Sequence, residues 1–231
     1  MQATEMLSRI NLDYGKHGSL QQGACVMECV AYVAGEPHTD HPSCACPVVT
    51  KVAAFVNDEY PAVRENGLSS RVLRLAGSNK SPEASKQRAY FLMDFVLRTV
   101  TPNSIRRHTP ALADAFAQLS PVDCPERMKP VHALVSALRD TLHNLTEGLY
   151  LPLRIEDMQS HLEQEPLTQL TRVALEVITT RAPETDMLAL LDDLLDIGDT
   201  QDIAVDQAVA ERIASLATRR PRGSSATALQ L

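Results

Sequence analysis

Apolar residues recur along this chain at intervals of three and four, the spacing that places side chains on one face of an α-helix. Segments with this pattern follow one another through the sequence, and turns containing proline or glycine commonly separate them. No alternating apolar and polar run bounded by hairpin turns competes with this pattern. The predicted helices are 24–34, 47–57, 63–76, 81–100, 110–119, 128–145, 154–163, 166–180, 184–197 and 202–217.

The composition agrees with an all-α protein. Aromatic residues make up only 4% of the chain and tryptophan is absent, so the core must consist mainly of Leu, Val, Ala and Met. These residues suit packed helices better than a β-sandwich. We therefore expect a helical bundle with an N-terminal helix-loop-helix metal site. The loop around residues 77–82 suggests three parts: a metal-binding helical region (1–77), the bundle (81–218) and a disordered tail (219–231).

Side chains that bind soft divalent metals are concentrated between Cys25 and Cys46. Four of the five cysteines lie in this segment, together with two histidines and several acidic residues. Residues three and four apart share a helix face, so Cys25, Glu28 and Cys29 are expected to point the same way. A turn containing glycine and proline then leads into a short loop that carries the remaining donors. The candidate ligands are Cys25, Glu28, Cys29, His38, His41, Cys44 and Cys46.

Zinc is the metal that this donor set favours, because structural zinc sites use four such ligands in a tetrahedron. The preferred ligands are Cys25, His41 and Cys44, completed by either Cys29 or Glu28. His38 is the first substitute and Cys46 is the next. The acidic neighbours Glu36 and Asp40 could accept a hydrogen bond from a ligating imidazole and fix its tautomer.

Two other roles for the segment stay open. The cysteines could be ordinary buried residues, with the histidines bonded to the backbone. Alternatively, Cys25 could be a nucleophile, because it follows Gln and Gly at the start of a helix, as in papain-like hydrolases. Its base would then be a distant histidine, for which His108, His132 and His143 are the candidates. Three protein ligands and a water would instead suit a zinc-dependent hydrolase.

The string from Cys25 to Asp58 resembles a family of uncharacterised actinobacterial and actinophage proteins. Members carry a Cys-x-Met-Glu helix, then Ala-Gly-Glu-Pro, then Asp-His-Pro-x-Cys. The matching positions here are Cys25, Met27, Glu28, Ala34, Gly35, Glu36, Pro37, Asp40, His41, Pro42 and Cys44. The resemblance covers about the first quarter of the chain. It implies that Cys25, Glu28, His41 and Cys44 belong to the motif, which favours Glu28 as the fourth ligand.

The charge pattern argues against a general nucleic-acid binder. The net charge is −7, and the chain has no clustered basic face of the kind that phosphate contacts need. No apolar run approaches membrane-spanning length, and the N-terminus has no secretory signal, so we expect a cytoplasmic protein without membrane contact.

The acidic helix predicted at Glu184–Ile197 is a candidate for self-association or for docking a protein partner. Nine acidic and no basic residues lie between Ala182 and Glu211, and leucines recur through the predicted helix. More commonly, such a leucine stripe is the buried face of a terminal helix. Together these patterns predict a zinc-stabilised, non-enzymatic interaction or regulatory protein, and the resemblance implies a phage as one source of it. A cysteine or zinc-dependent hydrolase is the alternative.

Overall fold

The computed structural model describes residues 3–143, 150–162 and 167–219, and within these ranges it contains helices and no strand. This confirms the all-α prediction. The helices are α1 Ala3–Leu7, α2 Val26–Ala34, α3 Pro47–Glu59, α4 Pro61–Asn66, α5 Val72–Ala76, α6 Pro82–Phe95, α7 Thr101–Ile105, α8 Pro110–Ala117, α9 Lys129–Leu142, α10 Tyr150–His161, α11 Thr168–Arg181, α12 Met187–Asp196 and α13 Gln207–Thr218. Short 3₁₀ turns lie at Leu68–Arg71 and Pro125–Met128. In the described part of the chain, no helix is long and apolar enough to cross a membrane.

The chain forms two compact units that are discontinuous in sequence. Unit 1 contains the described residues up to Ala45, the segment Ala53–Ser78 and the described residues from Gln201 onward. Unit 2 contains Cys46–Val52 and the described part of Asn79–Thr200. The predicted division was contiguous and put residues 81–218 together. The structure instead assigns α13 to unit 1, through contacts that are remote in sequence.

Unit 1 is built around α2, which packs against α5 and α13. Apolar residues on α2 are fully buried, among them Val26, Met27 and Val30. The helix ends as its sequence predicts, because Gly35 adopts the left-handed conformation (φ 80°) that favours glycine. The loop with the remaining candidate ligands starts directly after this residue.

Unit 2 contains the pairs α10–α11 and α7–α8, together with α6. Its most unusual core residue is Arg88 on α6, whose side chain is fully buried. The Arg88 guanidinium donates to the carbonyl oxygens of Leu194 and Ile197, at 2.9 and 2.8 Å, and to Thr200 Oγ1 at 2.8 Å. Arg88 therefore neutralises the carboxyl end of α12, where carbonyl groups lack helical partners.

The helical stretch that starts with α6 extends further than predicted. The predicted helix 81–100 stops before Pro102, but a π-helical turn at Val96–Val100 leads directly from α6 into α7, which contains Pro102. A proline ring inside a regular α-helix clashes with the carbonyl four residues earlier. The wider π turn directly before Pro102 accommodates that ring without breaking the helix.

The leucine stripe of α12 belongs to the protein's own core. Met187, Leu190, Leu191, Leu194 and Leu195 are buried. These side chains are therefore not free to dock a partner. A partner for Glu184–Ile197 stays a prediction, which would have to use the exposed acidic side of the helix.

Some predicted elements reach residues outside the described ranges. These include the end of the predicted helix 128–145, the adjoining ends of helices 154–163 and 166–180, and positions 220–231 of the predicted tail. Arg219, the first residue of that tail, is described, and it bonds to Asn11 and Asp13 in unit 1.

Candidate functional site: the Glu28 cluster at the start of helix α2

Helix α2 begins with a capping arrangement in which cysteine replaces the usual serine or threonine. Cys25 is the extended N-cap residue, and Glu28 is the third residue of the helix. The Glu28 carboxylate accepts a hydrogen bond of 2.8 Å from the Cys25 backbone N–H. This contact satisfies one of the N–H groups left unpaired at a helix start.

The carboxylate of Glu28 is fully buried and also holds His17. Oε1 accepts from the His17 backbone N–H at 2.7 Å, and Oε2 lies 2.8 Å from His17 Nδ1. His38 Nε2 lies 2.9 Å from the His17 carbonyl oxygen and 3.5 Å from Glu28 Oε1. A carbonyl only accepts, so His38 Nε2 carries the proton. We call Cys25, Glu28, His17 and His38 the Glu28 cluster.

The end of α3 completes the support for the segment around His17. Asn57 is fully buried, accepts from the Val26 N–H at 3.1 Å and donates to the Asp13 carbonyl at 3.0 Å. Asp58 accepts from the Gly15 N–H at 2.9 Å. The start of α2 and the end of α3 thus fix the same turn at Asp13–His17.

The Cys25 thiol is poorly suited to nucleophilic chemistry. It is 5% exposed, and burial together with the adjacent Glu28 carboxylate raises its pKa to about 12, despite opposing contacts with the backbone N–H groups of Glu28 and Met27. Burial, and next the neighbouring Cys25, also raise the pKa of the fully buried Cys29 thiol. Both sulfurs are therefore protonated at neutral pH, whereas the thiolate is the nucleophile and the metal ligand.

The loop after α2 is organised by Glu36. Its carboxylate accepts from the Ser43 N–H, the Ser43 hydroxyl and the Cys44 N–H, each at 2.8 Å. Burial, and next the negative charge of Glu36, raise the pKa of the half-buried Cys44 thiol to about 12. The sequence predicts Glu36 only as a hydrogen-bond acceptor for a metal ligand, but in the structure it shapes the loop directly.

The predicted ligands are divided among several local environments. Cys25 and Glu28 are adjacent, and His38 reaches the same carboxylate. His41 is 76% exposed with its Nε2 3.8 Å from Asp40, whose carboxylate bonds to Lys16. The buried sulfur of Cys46, which belongs to unit 2, lies 3.2 Å from Ser85 Oγ. In the described ranges, no three His, Cys, Asp or Glu side chains are arranged to hold one metal ion.

Zinc binding stays a prediction from the sequence. Elemental analysis of the purified, reduced protein is expected to give one zinc per chain, with loss of zinc in Cys25→Ser and His41→Ala variants. Folded, reduced protein without stoichiometric metal would contradict the prediction. Binding by Cys25, Glu28, His41 and Cys44 would require these side chains to converge on one ion, an arrangement not present among the described residues.

The loop is expected to weaken in acid through Glu36. Its pKa lies below the usual value: burial acts to raise it, but the hydrogen bonds from Ser43 and Cys44 together lower it more. A carboxylate with a depressed folded-state pKa stabilises the fold above its unfolded-state pKa, and this contribution is lost as pH falls through the folded-state value. Amide exchange at Ser43 and Cys44 should therefore accelerate, relative to the intrinsic rate, as pH falls below the ordinary glutamate range near 4.5. In Glu36→Gln, this pH dependence should disappear; an unchanged profile would contradict the assignment.

Sequence reasoning missed several residues of the site, namely His17, Asp13, Asn57 and Asp58. His17 and Asp13 lie in a polar, glycine-containing stretch without periodic pattern, so no local signal marked them. Asn57 and Asp58 end the string that carries the family resemblance. Their inclusion in that string was the available signal that they belong with the motif.

Comparison with protein-family models, curated proteins and solved structures found no match to this chain. The protein can therefore be classified only by its fold and by the structure of its candidate site. It is an all-α protein in which a buried glutamate joins a cysteine-capped helix to two histidines.

Proposed function

We propose that the protein is a non-enzymatic interaction or regulatory protein, and that its Cys25–Cys46 segment has a structural role. The observation that carries this proposal is the environment of the Cys25 thiol. The thiol is buried, has a pKa raised to about 12 and lies beside a carboxylate that is also buried. A catalytic cysteine needs the opposite environment, exposed and positively charged, which lowers the thiol pKa.

The hydrogen bonds of Glu28 support the same proposal. Its two oxygens accept from Cys25 and His17, and these bonds join the segment around His17 to the start of α2. A carboxylate that accepts these hydrogen bonds stabilises the folded structure. Glu36 serves the following loop in the same manner, through Ser43 and Cys44.

An activity measurement tests the non-enzymatic proposal. Hydrolysis of p-nitrophenyl acetate by the wild type should equal that of Cys25→Ser and of Cys124→Ser, the latter a control for a half-exposed thiol in unit 2. Turnover that is lost only in Cys25→Ser, together with burst release of one p-nitrophenol per chain, would establish a nucleophilic Cys25 and overturn the proposal.

A further inference from the structure

The C-terminal part of unit 1 is an element that covers the cysteine-bearing helix. Residues 201–206 form a non-helical link that is largely exposed, and α13 follows. The Ile203 N–H donates to the Leu73 carbonyl at 3.2 Å, which attaches the link to α5. We call Gln201–Arg219 the strap.

Apolar contacts hold α13 in place. Val209, Ile213 and Leu216 are spaced at intervals of four and three, and all three are buried. Helix α13 packs against α1 and α2. Because isolated helices of about 12 residues are marginal in water, α13 depends on this packing for its stability.

Two arginines of the strap form hydrogen bonds with other parts of unit 1. Arg212 Nη1 donates to the Val33 carbonyl at 3.1 Å, close to the carboxyl end of α2. Arg219 Nη2 donates to the Asn11 carbonyl at 2.7 Å and to Asp13 Oδ2 at 2.9 Å. Arg219 thus bonds the strap to Asn11 and Asp13, in the segment that leads to His17 of the Glu28 cluster.

The strap lies against α2 close to Cys29. Tyr32, one turn further along α2 than Cys29, lines a cleft of about 340 Å³ together with Leu216 and Arg219. The Cys29 thiol is fully buried, and the charges of Arg219 and Asp13 both act on it. The strap therefore meets α2 at Tyr32 and Val33, about one turn from Cys29.

We infer that the strap is a releasable cover over α2, and that its release exposes Cys29 before unit 1 unfolds as a whole. Elements that are connected through an exposed link can open with less free energy than global unfolding requires, and the strap is joined by such a link at residues 201–206. The packing of α2 against α5 does not involve the strap, so it can persist in the open state. Release would regulate access to α2, and this consequence rests on the proposed structural role of the segment to which α2 belongs.

Site-resolved alkylation of the full-length, reduced protein tests the inference. The protein is incubated with N-ethylmaleimide, quenched at intervals and digested, and the modification of each cysteine is followed by mass spectrometry. The test variants are Arg219→Ala and Ile213→Ala, with Val209→Ala as a milder change in the same apolar stripe. Ile155→Ala on α10 is the matched control, because Ile155 is as fully buried as Ile213 but belongs to unit 2.

The expected result is that Cys29 reacts about tenfold faster or more in the strap variants, with a smaller increase in Val209→Ala. Cys46, a fully buried thiol of unit 2, should keep its wild-type rate in the same samples. Unchanged reactivity of Cys29, or equal acceleration of Cys29 and Cys46, would overturn the inference. The readout at Cys29 is separate from the test of the proposed function, which measures turnover by Cys25.

Discussion

Replacing Glu28 with alanine is expected to lower the free energy of unfolding by about 3–5 kcal/mol, measured by urea denaturation at pH 7. The carboxylate is fully buried and accepts from two backbone N–H groups and the ring of His17. Its removal leaves these donors in the protein interior without an acceptor. A buried donor without an acceptor costs about 1–3 kcal/mol, and in this variant three donors lose the carboxylate that they share.

Two further glutamate variants make this result interpretable. Glu28→Gln keeps one oxygen acceptor and the side-chain shape but removes the charge, so it should cost less than Glu28→Ala. Glu65→Gln changes an exposed glutamate in the same unit and should stay within about 0.5 kcal/mol of the wild type. If Glu28→Ala were as mild as Glu65→Gln, the Glu28 cluster would not be what holds the start of α2.

Arg88→Met is expected to be comparably destabilising, by about 3–5 kcal/mol. Methionine approximates the length of the aliphatic stem but cannot donate to Leu194, Ile197 or Thr200. Those bonds join residues more than a hundred positions apart and fix the carboxyl end of α12. Circular dichroism should show an earlier thermal transition, and amide exchange should increase first in the residues that follow α12.

Arg88→Lys and Arg107→Ala are the corresponding controls. Lysine keeps the positive charge but cannot reproduce the forked geometry of the guanidinium, so Arg88→Lys should fall between the wild type and Arg88→Met. Arg107 is exposed on the same unit, and Arg107→Ala should change stability by no more than about 0.5 kcal/mol. A stable Arg88→Met variant would show that the core of unit 2 does not depend on this arginine.

Local sequence signals predicted the helices well where caps and stops were present. Gly35 ends α2 as expected, Pro47 starts α3, and Ser81 caps α6 by accepting from the Ala84 N–H at 3.1 Å. Each signal acts within a few residues, so it can be read from the sequence. Pro102 shows the limit of such signals, because the π turn that accommodates it was not visible in the pattern.

Contacts between remote segments could not be predicted in the same way. Arg219 bonds to Asp13 across more than two hundred residues, and this contact helps to place α13 in unit 1. No feature of the sequence near Arg88 distinguishes it from an exposed arginine. Its burial follows from the position of α12, which only the tertiary fold determines.

The candidate site was predicted in part. Density of donors and helical spacing singled out Cys25 and Glu28, and the structure brings them together. The pattern could not reveal how Glu28 is used, because its partner His17 comes from an N-terminal segment without periodicity. The position of Glu36 beside the candidate ligands suggested an acceptor for a ligating imidazole, whereas in the structure it accepts from Ser43 and Cys44 and organises the loop.

The pH dependence of Cys25 alkylation tests the central claim most directly, namely that this cysteine has a structural role and is not a nucleophile. The rate at Cys25 is measured by mass spectrometry between pH 6 and 10, in the full-length reduced protein, with Cys124 as the internal reference. A thiol with a pKa near 12 should react more slowly than Cys124 throughout and show no plateau. Rapid alkylation of Cys25 with a plateau below pH 7 would reveal a stabilised thiolate and contradict the claim.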